Sequence, residues 1–265
     1  DKEKNPVFEN AEAEFYIAKK DGVTVGRIAA MVNWVEIEEQ KKNKLRFGWY
    51  DTIDDLEVSK KLLESVIEFG KKRKLEFVDG PVGFSNMDKA GLLIEGYEEL
   101  NTMITWYHYP YQKEHLKKLG FSKLAEWVEY KIKIFSAEDA PEKVKKFSKI
   151  IQQRYELKVL NFKSRKEIIP YVDKMFELLN VTYSNLQTYV TIKQYQIDFY
   201  KEKFIKYIHP DFIKCCLDKD NNLIAFLITM PSFSRALKKI NGKMGLMGYL
   251  HLFKAQHFND SVSLY

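Results

Sequence analysis

Residues 47–64, FGWYDTIDDLEVSKKLLE, pass from a short aromatic strand through a turn into a helix whose first residues are acidic. A strand that runs straight into a helix N-terminus is a place where α/β proteins hold phosphate, because free backbone N–H groups and the positive end of the helix dipole point at the ligand. Here Asp51, Asp54, Asp55 and Glu57 fill that place. Carboxylates suit an empty helix start and repel a bound anion. The stretch therefore predicts a helix capped by Asp54 or Asp55, with the geometry of a phosphate site and the opposite chemistry.

Elements on either side extend the pattern. In residues 14–33, EFYIAKKDGVTVGRIAAMVN, two apolar runs flank Asp21-Gly22, a pair suited to a tight antiparallel hairpin turn. The charged stretch 36–44, EIEEQKKNK, reads as a loop, and 45–50 as a strand. Leu62, Leu63, Val66 and Ile67 mark one face of the helix, which ends in the basic cluster KKRK. Residues 75–84 read as a further strand entering a Gly-Pro turn, and 85–99 as irregular or a broken helix. In 103–121, MITWYHYPYQKEHLKKLGF, a strand, an aromatic turn and a helix stopped by Gly120 are expected. Residues 124–135, LAEWVEYKIKIF, alternate as a closing strand. A second cycle follows, in which 211–232, DFIKCCLDKDNNLIAFLITMPS, repeats the design of the first hairpin. The boundaries predicted are a first domain at 1–135, a linking helix at 136–153 and a second domain at 154–265.

The chain has 265 residues, 45% of them apolar, enough for one large or two ordinary cores. No apolar run approaches the roughly 20 residues that span a bilayer, so the expectation is a cytoplasmic protein with no membrane partner. Its two cysteines, Cys215 and Cys216, are adjacent and expected reduced on one strand, one facing the core. Residues 1–135 carry 22 basic and 24 acidic side chains, and 136–265 carry 21 and 13. Most of the basic excess of the second half reads as solvated helix faces with acidic partners, and it brings no nucleic-acid motif, so nucleic acid is not the expected partner. His108 and His115 straddle a proline, and His251 and His257 have no Cys or carboxylate at ligand spacing, so no metal site is read.

A hairpin, a strand into a helix, another strand, and a helix ending KKLGF resembles the GNAT superfamily of N-acetyltransferases. Residues 5–30, 79–98 and 109–121 look most like a bacterial group with two GNAT-like domains in tandem, in which the chain extends beyond both ends of this one. The resemblance implies an α/β (α+β) fold of two mixed, mostly antiparallel twisted sheets flanked by helices, and acyl-CoA-dependent transfer to an amine acceptor. The superfamily's Arg/Gln-x-x-Gly-x-Gly/Ala loop, laid on this helix, falls on Asp54, Glu57 and Ser59. Only Ser59 is tolerable, so acetyl-CoA or another acyl-CoA is not supported at 54–59, and a cofactor loop is expected beyond Tyr265. The superfamily's tyrosine acid falls on Leu116, beside His115, which is expected on an exposed helix face. An acceptor pocket is implied at Ser85, Asn86, Tyr97, Trp106 and Tyr111, with Glu95 as base and Tyr107 or Tyr109 as acid. The alternative is a binding protein that keeps the sheet and has lost acyl-CoA.

Overall fold

A computed structural model describes residues 2–85, 87–133, 136, 138–204 and 208–264. Contacts divide the chain into two units. The first is Asp1–Glu126 with Ser184–Thr191 and Ser232–Phe258, and the second is Trp127–Tyr183, Ile192–Pro231 and Asn259–Tyr265.

The first unit is built on a four-stranded sheet in the order β1 (Ala11–Lys20), β2 (Val23–Asn33), β3 (Lys44–Thr52), β4 (Phe77–Asp79). The first two pairings are antiparallel and β3–β4 is parallel. Asp21 and Gly22 both take positive φ, 50° and 79°, in the β1–β2 turn, as the Asp-Gly pair requires. Short helix α1 (Trp34–Glu38) occupies part of the expected loop at 36–44. Helix α2 (Leu56–Lys72) packs Leu62, Leu63, Val66 and Phe69 on Ile28, Ala30, Leu45, Phe47 and Tyr50 of the sheet. Asp55 is its N-cap, accepting from Glu57 N at 3.0 Å, and its carboxyl is held low chiefly by the hydrogen bond from Lys20, also 3.0 Å. The opposite sheet face buries Ala13, Ala29 and Met31 with Val7 and Phe84. Helix α3 (Pro110–Lys118) ends before Gly120, whose φ is +90°.

The second unit carries α4 (Glu142–Arg154), β5 (Lys158–Asn161), α5 (Arg165–Tyr183), α6 (Gln194–Phe204), β6 (Ile213–Leu217), β7 (Leu223–Pro231) and β8 (Val262–Leu264). Its strands form a sheet in the order β5-β6-β7-β8, antiparallel throughout. Ile168, Val172 and Met175 of α5 pack with Ile213 and Cys215. Cys215 is buried, with its thiol pushed up to about 11 by burial, and Cys216 faces the other way, half-buried. Helices α7 (Ser234–Ile240) and α8 (Leu246–His257) belong to the first unit. The protein is thus mixed α/β, with two mostly antiparallel sheets flanked by helices.

Two expected strands are absent. Residues 103–106 are turn and irregular backbone, and 122–133 have no ladder partner. In the second stretch the alternation is real, but Leu124, Val128, Tyr130 and Ile132 are exposed. A two-residue period makes a strand only where a neighbouring edge accepts its backbone hydrogen bonds. Ile134 and Phe135, with which that strand and the first domain were expected to end, lie outside the described residues.

Candidate functional site

Strands β3 and β4 run parallel for three residue pairs, Lys44–Phe77 to Arg46–Asp79. Beyond them the pair opens, after a last bond from Val82 N to Phe47 O of 2.8 Å. On the other edge of β3 the register steps from Ala29–Gly48 to Arg27–Asp51, so Trp49 and Tyr50 stand opposite the single residue Ile28. This is a β-bulge, with Trp49 at φ 47°. Gly48 sits where the chain returns: a Cβ there would lie 2.3 Å from Val82 O. A cavity of about 220 Å3 opens at this point between β3, the turn at Pro81–Gly83, and Asp88, Lys89, Trp106 and His108.

The described residues of 80–109, apart from one isolated bridge between Val82 and Ala90, form no regular element, and long structureless segments in compact domains are commonly binding loops. This one is held at defined atoms. Asn33 Nδ2 donates to Phe84 O at 3.0 Å. Asp88 Oδ2 accepts from Phe84 N at 2.9 Å and Ser85 N at 3.3 Å, and its side chain lies directly against Gly83, where any Cβ would clash with it. Although Asp88 as a residue reaches solvent, burial of its carboxyl in that notch raises the pKa against the pull of the two N–H groups. Lys89 Nζ sits 4.9 Å from the centre of the Trp106 ring, and burial lowers its pKa. His108 is 6% exposed, and burial lowers its pKa as well. Its Nδ1 accepts from Leu93 N at 3.2 Å, which leaves the proton of the neutral ring on Nε2. A carboxyl, an amine and an imidazole, each shifted toward its neutral form, therefore share one cavity wall.

Behind that wall lies a buried charge cluster. Glu36 of α1 binds Lys44 Nζ at 2.9 Å and takes Arg46 Nε and one terminal nitrogen at 2.8 and 2.9 Å, while Lys44 also binds Asp79 at 2.9 Å. Arg46 further donates to Gly83 O at 3.1 Å and Thr188 O at 2.8 Å. The cluster is charge-balanced, and it fixes the carbonyl of a cavity residue.

A second network joins α2 to α3. Tyr50 OH donates to Ser59 Oγ at 2.9 Å, Ser59 Oγ lies 2.8 Å from His115 Nδ1, and His115 Nε2 lies 3.2 Å from Asp54 Oδ1. Burial pushes the Tyr50 phenol up to about 12. The order Ser-His-Asp is that of a hydrolytic triad, but the exposure is inverted: Ser59 is fully buried and the Asp54 side chain is 70% exposed. A nucleophile must be reached by substrate. The network is a clamp, and His115 is buried at 5% rather than on the exposed helix face expected from its sequence, because Ser59 and Asp54 satisfy both ring nitrogens.

Of the residues singled out from sequence, Trp106 lines the cavity. Ser85 is buried, its Oγ accepting from Met87 N at 3.2 Å. Tyr97, Tyr107, Tyr109 and Tyr111 form a continuous ladder, with ring centres 6.4, 5.6 and 5.5 Å apart and the last pair stacked. Tyr97 OH donates to Leu93 O and Tyr111 OH to Thr52 O, while Tyr107 and Tyr109 are half exposed. Glu95 is exposed and outside the cavity lining. Asn86 lies outside the described residues. Asp88, Lys89 and Arg46 were missed; the usable signal was the glycine pair Gly80 and Gly83 ahead of an irregular run too long for a plain connection. Among the described residues no group of three or more His, Cys, Asp or Glu could hold a metal ion, and no helix is long and apolar enough to cross a membrane.

The fold and cavity define a mixed α/β protein with a cavity where parallel strands part. Two curated proteins are similar to it. Protein YghO of Escherichia coli (strain K12) is 24% identical over 253 residues, covering 94% of this chain and 63% of that protein. The bacterial ceramide synthase of Caulobacter vibrioides (strain NA1000 / CB15N) is 25% identical over 129 residues, covering 48% of this chain and 33% of that protein. The chain thus spans less than two thirds of the length of either relative. No family model and no solved structure matches.

Proposed function

We propose that this chain is an N-acyltransferase of GNAT-like architecture that moves an acyl group from a CoA thioester to an amine, with the cavity at the β3–β4 opening as the reaction site. The observation that carries the reading is the cavity wall itself, where Asp88, Lys89, Trp106 and His108 converge on one opening, with burial raising the pKa of the Asp88 carboxyl and so making its ionised form the stronger base. The similarity to a ceramide synthase supports the same class, because a ceramide is a fatty-acyl amide of a long-chain amino alcohol. In the proposed step the amine nitrogen bonds to the thioester carbonyl carbon, the carbon–sulfur bond breaks, and the proton lost by the amine passes through Asp88 and water to the departing sulfur, so that CoA leaves as the thiol. His108 Nε2–H is the donor to the carbonyl oxygen, and the tyrosine ladder takes the apolar body of the acceptor. The start of α2 does not fit a pyrophosphate: Asp55 already caps Glu57 N, and Asp54 and Glu57 add charge of the wrong sign. The anionic end of the donor is therefore assigned to another part of the protein.

The test is release of CoA thiol from acetyl-CoA and palmitoyl-CoA with a long-chain amino alcohol as acceptor. Asp88→Asn is expected to lower turnover by at least about 100-fold, the scale of a general base. Glu95→Gln is expected to leave it within about threefold, and the reverse pattern would make Glu95 the base. That α2 start also favours a second reading, a non-catalytic binding protein. Absence of both thiol release and thermal stabilisation by either acyl-CoA would establish it, since a ligand at 100 times its Kd raises stability by about 2.7 kcal/mol.

A further inference from the structure

Helices α7 and α8 present a surface that the cavity does not use. Residues 232–258 contain Arg235, Lys238, Lys239, Lys243 and Lys254 and no Asp or Glu. On α8 the spacing of Leu246, Tyr249, Leu250 and Phe253 puts all four on one helical face. That face points to solvent, with exposures of 79, 64, 53 and 58%. The opposite side is Gly248, His251, Leu252 and Ala255, buried or half-buried, and Gly248 lies against Ile240 of α7. A helix of a globular domain normally buries its apolar stripe, and here the arrangement is inverted. Lys238, Lys239, Lys243 and Lys254 are exposed, and none pairs with a carboxylate among the described residues.

We infer that α8 docks on an anionic lipid bilayer, its apolar stripe entering the boundary between headgroups and acyl chains, with Lys254 at the flank of the stripe and Lys243 just before the helix start meeting lipid phosphates. Charge selects this occupant. A second copy would bring the same lysine-flanked stripe against this one, and a nucleic acid would satisfy the lysines while leaving the stripe in water. A bilayer surface takes both, and a helix lying in the interface needs no run long enough to span it. The inference stands apart from the acyltransferase reading.

The test is co-sedimentation of the full chain with vesicles of phosphatidylcholine alone or mixed with phosphatidylglycerol. The mixed vesicles are expected to bind at least about tenfold more tightly, and less so as salt rises, since each lysine near an anionic surface contributes about fivefold. Leu250→Asp with Phe253→Asp, both exposed sites, is expected to lose at least about tenfold while circular dichroism stays unchanged. Lys243→Gln with Lys254→Gln is expected to lower the preference for anionic lipid at least about tenfold. No binding to mixed vesicles, or equal binding by the doubly substituted chain, overturns the inference. Without vesicle binding, dimerisation abolished by Phe253→Asp assigns the stripe to a second copy, and binding of single-stranded RNA assigns the lysines to nucleic acid.

Discussion

Replacing Arg46 by methionine tests whether the buried charge cluster holds the cavity. Arg46 and Glu36 are each about 1% exposed in their side chains, and Arg46 makes two bonds to Glu36 and one each to Gly83 O and Thr188 O. With Arg46 gone, Lys44 faces both Glu36 and Asp79, and one negative charge is left buried without a partner. Breaking a buried pair in this way costs about 3–5 kcal/mol. Each carbonyl that loses its donor adds about 1–3 kcal/mol, so Arg46→Met is expected to cost at least about 5 kcal/mol. Glu36→Gln leaves the opposite excess and is expected to cost about 3–5 kcal/mol by the same reasoning. The double substitution restores balance through Lys44 and Asp79, so the two losses are expected to fall short of additivity by about 3 kcal/mol. Urea unfolding followed by tryptophan fluorescence measures this, because Trp34, Trp49 and Trp106 lie in the first unit and only Trp127 in the second. A loss under about 1 kcal/mol for Arg46→Met, or strictly additive single effects, would refute the reasoning.

Two further outcomes follow from the cavity wall. Gly48→Ala places a methyl 2.3 Å from the Val82 carbonyl, a backbone atom that cannot swing away, and is expected to cost about 1–3 kcal/mol or more in chemical denaturation; an unchanged midpoint would mean that the wall yields. His108→Gln keeps an acceptor for Leu93 N and removes a titrating ring whose pKa burial pulls below 6.5 against the opposing pull of Asp51 and the Trp106 backbone. Since the folded pKa is the lower one, the native ring's contribution is complete above about pH 6.5 and is lost as the pH falls through the folded value. The stability difference between native and His108→Gln chains is expected to decline on acidification from pH 6.5, by at most about 1.4 kcal/mol per pH unit, and a rise over that window would contradict the burial argument.

Much of the framework was legible because it follows local rules. Asp21-Gly22 has the one turn chemistry that suits a two-residue hairpin, Asp55 sits one residue before the apolar periodicity of α2, and the alternation around Cys215 and Cys216 gives the two faces of β6. What escaped depends on partners distant in sequence. Glu36 and Lys44 belong to a run that reads as solvated loop, yet both are buried, because each finds its opposite charge across the fold. His115 looked like a surface residue until Ser59, 56 residues earlier, supplied its partner. Residues 122–133 erred the other way, with a strand's alternation and no neighbour to complete it. At the candidate site the sequence singled out Trp106 and the tyrosines by composition, while Asp88 and Lys89 carried no mark because contacts with Phe84 N, Ser85 N and the Trp106 ring, not spacing, set them apart.

The bulge at Trp49 has an effect on the inheritance of this architecture. Leu45, Phe47 and Tyr50 all face α2, so the two-residue rhythm of β3 skips one beat between 47 and 50. Were Trp49 absent, the three side chains would fall into unbroken alternation and still meet the same helix. As far as packing on α2 is concerned the residue is an insertion; it bends the strand where the cleft opens and turns its ring to the opposite sheet face, against Phe15 and Phe84. One codon in β3 can therefore open or close the cleft in descent without rewriting the face on α2, while the core on the other side of the sheet must answer for the indole.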